Sequence, residues 1–178
     1  EQMDYARILY NKGLYLQSLK VLDKMKEAAK AANQFTYLQQ ALFFEKKIEA
    51  LYITRSMSDR ADALSKESDE VSCSLSLVSQ MSNLALQLYS WYIKKGLSRD
   101  EKDAAEVQSF FIKHLGDKAD KCKTFYEKLY LYQSHCWTAF IRQDFLQYYR
   151  YTQKWVALFE QNPQMIEIET GHYIKGMH

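Results

Sequence analysis

The chain has 178 residues, of which 47% are apolar and 26% charged, with a net charge of +2. That apolar share is enough for a core and excludes a wholly disordered chain, while the near-neutral charge gives no footprint for a polyanion. Five glycines and one proline are too few for the turns of a sandwich or barrel, so the composition points to long helices joined by short turns.

In chain order, a first helix is expected over Met3–Lys12. A second begins at Leu14, with Tyr15, Leu19, Leu22, Met25 or Lys26, and Ala29 at helical spacing. Gly13 between them suits a left-handed turn residue, which makes the pair an antiparallel hairpin. Asn33 precedes a third helix over residues 34–54. A break is expected near Arg55–Ser58, with Ser58 capping a serine-rich fourth segment, short, mobile or both, that includes Ala61 and reaches Val71.

From Ser74, the stripe Leu77, Met81, Leu84, Leu88 and Trp91 predicts a fifth helix ending at Lys95, before Gly96. Ser98 and Glu101 fit a capping box for a sixth helix, which carries Ala105, Phe110 or Phe111, and Leu115, and stops at Gly116. The seventh helix is expected from Ala119 to Ile141. It bears two stripes, Phe125, Leu129, Tyr132 and Cys136 on one side and Tyr126, Tyr130, Trp137 and Ile141 on the other. A helix apolar on two faces is packed from two sides. After a break at Arg142–Phe145, an eighth helix carries Phe145, Tyr148, Thr152, Trp155 and Phe159, and Pro163 closes it. Residues from Met165 read as the start of a ninth helix. The breaks at Gly13, Arg55, Gly96 and Gln143 recur a little over forty positions apart, the spacing of a stacked array of helix pairs.

The stretch YNKGLYLQSLKVL, residues 10–22, resembles the middle of a tetratricopeptide repeat. There a glycine or aspartate turn is followed by an aromatic residue and then, three positions on, a small one; these are Gly13, Tyr15 and Ser18. Residues 140–163 resemble the same pattern, with Asp144 and Phe145 at the turn. Ser98 replaces the aromatic residue in the third unit and Tyr148 the usual alanine in the fourth.

The resemblance implies an all-α fold: a right-handed α-solenoid in a single repeat domain over 1–178. Its four antiparallel hairpins would span 1–33, 34–72, 73–116 and 117–162, with a tail helix over 163–178 and further repeats or a domain beyond it. It also implies a concave groove that takes a protein or peptide partner. By register, Met3, Arg7 and Tyr10 face the groove from the first hairpin, and Phe43 and Lys46 from the second. Asn83, Leu86 and Ser90 face it from the third, and Tyr130, Gln133 and Trp137 from the fourth. The family's lysine–asparagine dicarboxylate clamp has no counterpart here.

Sequence chemistry beyond the groove is sparse. Cys73, Cys122 and Cys136 form no Cys-x-x-Cys pair, so they read as free thiols of a reducing, cytoplasmic compartment. No apolar run reaches the ~18–20 residues of a membrane span. His135 and Cys136 are neighbours on a helix and point about 100° apart, which suits packing better than joint catalysis. His114 lies where a helix dipole favours a cation, and Asp100 and Asp103 lie where it favours anions. Glu45 and Glu49 share a helix face without the histidine of a di-metal motif. No phosphate-binding or dinucleotide-binding glycine loop occurs, nor a nucleophile elbow. An interaction scaffold without a cofactor is therefore the expected function. The alternatives are the sensor half of a bacterial signalling or transcription-regulating protein, with its output domain outside this chain, and a helical enzyme whose site no motif marks.

Overall fold

Good helix formers dominate the chain between its few glycines, and helices result. A computed structural model describes residues 1–51 and 57–178, with side chains from residue 60 onward in the second stretch, and every regular element in them is helical. The α-helices are α1 (Gln2–Asn11), α2 (Tyr15–Ala31), α3 (Phe35–Leu51), α4 (Met57–Lys95), α5 (Glu101–Leu115), α6 (Phe125–Ile141), α7 (Phe145–Glu160), α8 (Gln164–Ile168) and α9 (Thr170–Met177). A short 3-10 turn spans Ala119–Lys121. The protein is all-α. It forms two compact units, Glu1–Leu75 and Ser76–His178, and α4 contributes to both.

Three of the turns share one geometry. Gly13, Asn33 and Gln143 follow α1, α2 and α6 with φ of 73°, 54° and 60°. Each N–H bonds the carbonyl three residues back, at Tyr10, Lys30 and Phe140. The next residue's N–H reaches five back, to Leu9, Ala29 and Ala139. This is the Schellman pattern, which satisfies the helix's last carbonyls and lets the chain reverse. An aromatic residue opens the next helix each time, Tyr15, Phe35 and Phe145.

Several elements depart from the sequence expectation. The serine-rich segment, expected to be short, mobile or both, is part of α4, a single helix of 39 residues that runs through the expected hairpin boundary at 72–73. Its lack of glycine and proline lets it continue, and Leu64 and Val71 bury themselves against Ala29, Leu38 and Leu42. The expected break at Arg55 and the cap by the Ser58 side chain lie outside the described residues. At α5 the cap is Asp100, whose carboxylate accepts the Asp103 N–H at 2.8 Å, rather than Ser98 with Glu101. Val107, not Ala105, lies in the buried row with Phe111 and Leu115. The helix expected from Ala119 begins at Phe125, because Thr124 and Glu127 form a capping box there. Phe145, expected on the packed stripe of α7, is 70% exposed. The tail is two short helices, and Pro163 starts the first of them rather than merely closing α7.

The first unit packs Ala6, Leu19, Leu22, Met25, Ala41 and Ile48 together. Beside that core, Glu45 and Glu49 are buried and paired: Glu45 lies 2.6 Å from Lys26 Nζ and 3.1 Å from Arg60, whose Nε is 2.7 Å from Glu49. Burial works against the Lys26 charge, yet the hydrogen bond and charge of Glu45, with Glu67 and Asp23 beyond, hold its pKa above the usual lysine value. This network ties α2, α3 and α4 together, and truncating one member would leave a buried charge without its partner. In the second unit α6 is packed from two sides. Leu131 and Ile141 join Met81, Leu84, Leu88, Val107 and Phe111, while Phe125, Leu129 and Cys136 join Trp155, Leu158, Phe159 and Met165.

Candidate functional site

The residues expected to line a groove divide by unit. In the first unit Met3 and Tyr10 are half-buried against its core; the Tyr10 ring meets Phe44 edge-on at 5.4 Å, with Lys47 Nζ 4.9 Å from its centroid. Arg7 is exposed and lies 3.8 Å from Asp4, one turn away. Phe43 is 74% exposed, and Lys46 Nζ donates to Ser68 Oγ at 2.6 Å.

In the second unit Tyr130, Gln133 and Trp137 share a face of α6, and α9 lies against it. Gln133 is buried and donates to His172 Nδ1 at 2.8 Å. The Tyr130 ring meets His172 edge-on, and Lys175 Nζ sits 5.3 Å from the Trp137 centroid. Tyr126 Oη donates to Glu169 at 2.8 Å, just ahead of α9. Gly176 approaches Trp155 so closely that a Cβ there would stand 3.1 Å from the indole. Desolvation is the main reason the His172 pKa falls; Lys175 lowers it further and Glu169 opposes it.

Of the third trio, Asn83 and Leu86 stay open on α4, Leu86 at 66% exposed, and Ser90 is half-buried. Beside it lie Tyr89 and Ile93, 44% and 63% exposed, which complete an apolar row with Leu86 at spacings of three and four. The row abuts the Trp137 ring through Tyr89, with centroids 5.1 Å apart. α4 is thus apolar on two sides here, Met81, Leu84 and Leu88 inward and Leu86, Tyr89 and Ile93 outward. The outward row was visible in the sequence as a second helical stripe, but the stronger inward stripe masked it.

A polar cavity, unmarked by any motif, lies between α5, α6 and α7 and opens to solvent on one side. It measures about 250 Å³, and His135, Arg142, Gln108, Asp144 and Tyr151 are among its walls. His135 stacks on Tyr151 at 3.8 Å with rings 3° from parallel, and Phe111 meets it edge-on at 4.8 Å. Burial, aided by the Lys154 charge, pulls the His135 pKa down to about 4, so the ring is neutral at pH 7. The adjacent Cys136 thiol lies in the other core, where burial pushes its pKa up to about 12. Histidine and cysteine therefore face different surroundings and form no nucleophile–base pair.

Among the described residues no group of three or more histidine, cysteine or acidic residues could hold a metal ion, and no helix is long and apolar enough to cross a membrane. Compared with known proteins, the chain matches no family model, and no curated protein or solved structure resembles it closely enough to count as a match.

Proposed function

We propose that this protein is an interaction scaffold, a divergent tetratricopeptide-like α-solenoid that docks a peptide or helical segment of a protein partner. The observation that carries the reading is the outward row of α4, in which Leu86, Tyr89 and Ile93 are exposed next to Trp137. A row of large apolar side chains at helical spacing is the surface to which a partner's apolar anchors dock, and an exposed aromatic residue such as Tyr89 is the usual energetic centre of such a face. The repeated Schellman turns after α1, α2 and α6, each followed by an aromatic residue, support a repeating helical-hairpin plan.

The test is capture of a cross-linked partner, reconstitution with that partner purified, and comparison with a Leu86→Asp/Ile93→Asp variant whose circular dichroism matches the parent. Loss of the apolar anchors should weaken binding at least tenfold, since one such contact is worth about 1–2 kcal/mol. A partner that binds parent and variant equally removes this face from consideration.

A further inference from the structure

We propose that the cavity between α5, α6 and α7 binds a small monoanionic carboxylate, anchored on Arg142 and hydrogen-bonded to the His135 ring. This rests on side chains separate from the α4 face and does not depend on the scaffold reading.

Arg142 supplies the anchor. It closes the C-terminus of α6, and its Nη1 donates to Gln108 Oε1 of α5 at 2.8 Å, which fixes the plane of the guanidinium. Its Nε is buried without an acceptor, and it enters no ion pair among the described residues. A half-buried cation held in place with a free donor edge is suited to the paired oxygens of a carboxylate, which guanidinium matches two bonds at a time. A buried donor without a partner is itself unfavourable, so an incoming oxygen would relieve an existing cost.

The rest of the wall selects among anions. Among the described residues His135 has no hydrogen-bond partner, and it is held by rings on two sides, Tyr151 and Phe111. Being neutral, it offers one N–H donor and one acceptor without adding charge. Asp144 lies in the same wall, but its carboxylate accepts the Gln147 N–H at 3.1 Å as the cap of α7. That fixed negative charge opposes a dianion, while a single charge is balanced by Arg142 and by Lys154, whose Nζ stands 4.7 Å from the Tyr151 centroid. Phe111 and Ala139 provide an apolar side for a short hydrocarbon or aromatic body. A volume of about 250 Å³ has room for about eight water-sized groups, enough to seat a small organic acid.

The experiment titrates the full chain, isotope-labelled, with acetate, propionate and benzoate, and in separate arms with inorganic phosphate and neutral benzamide. The His135 ring protons and the Arg142 Nε–H are followed by NMR. Saturable movement of both with at least one carboxylate, and not with phosphate or benzamide, is the expected result. Arg142→Gln should weaken that binding at least tenfold, and Arg142→Lys should do so too, since it keeps the charge and loses the fork. Arg150→Gln, a change at an exposed position of α7, should leave it intact. The proposal is overturned by no saturable shift with any of the three acids. Equal binding by Arg142→Gln, or a response to phosphate in place of the carboxylates, overturns it as well. Should both Arg142 variants fail to fold, the joint movement of the two signals in the parent decides.

Discussion

His135 shows how far a side chain's setting can depart from what its sequence position suggests. The sequence marks it as a packed helix residue beside a cysteine, which it is, but not as the wall of a cavity, because Phe111, Arg142 and Tyr151 come from three helices. Its titration should be measurable. The folded pKa of about 4 lies below the ordinary 6.5, so between those values the unfolded chain binds more protons than the folded one. The His135 contribution is therefore whole above pH 6.5 and is lost as the pH falls toward 4, by on the order of 2 kcal/mol once partial solvent access is allowed for. Lys154, Arg142 and Asp144 are the charges around it. Urea unfolding at neutral and acidic pH should show the loss, and His135→Gln, which cannot titrate, should lose less over the same window. An NMR titration midpoint near 6.5 would show that the ring is not desolvated as described. Other residues were legible as they stand: Gly13 is the left-handed turn residue that its position between two helical runs demanded.

At the scale of elements, the sequence located α1, α2, α7 and the start of α3 well, because each has a clear apolar stripe or a clear turn beside it, while the expected end of the third helix lies outside the described residues. The sequence failed at α4. Serine is a middling helix former, and the stretch before Ser74 has little amphipathic contrast, so local propensity argued for a piece that is short, mobile or both. Tertiary contacts decided otherwise: Leu64 and Val71 are buried, and Glu67 between them pairs with Lys30 of α2. Amide hydrogen exchange gives the check. Residues 69–78 should be protected continuously, as the interior of one helix is, whereas a hairpin turn at 72–73 would appear as a cluster of fast-exchanging amides. The starts of α5 and α6 were misplaced for a different reason. Several residues near each could cap, and only the folded loop selects Asp100 over Ser98 and brings Thr124 and Glu127 together.

For the whole molecule, the all-α class was legible from one proline, five glycines and the recurring stripes. The division into two units was not, since the boundary at Leu75 and Ser76 falls inside a helix and leaves no linker signature. Nor was the placement of α9, whose eight residues include two glycines and carry little helical signal of their own. Its position follows from contacts with α6 and α7: His172 on Gln133, Lys175 over Trp137, and Gly176 against Trp155. Gly176→Val should drive α9 off the Trp155 indole. The expected readout is a red shift of tryptophan emission and loss of the Gln133–His172 coupling in NMR, with far-ultraviolet helicity nearly unchanged. Unaltered emission would mean that α9 does not depend on that close approach. The covering of α6 also has a quantitative consequence. Because α9 is joined to α7 by the short stretch that holds α8, it competes for the Tyr130–Trp137 face as a tethered ligand, at an effective concentration of about a millimolar. A free partner present at about a micromolar must therefore bind that face roughly a thousandfold more tightly than the α9 segment does before it takes half of it, whereas the Leu86–Ile93 row meets no such rival among the described residues.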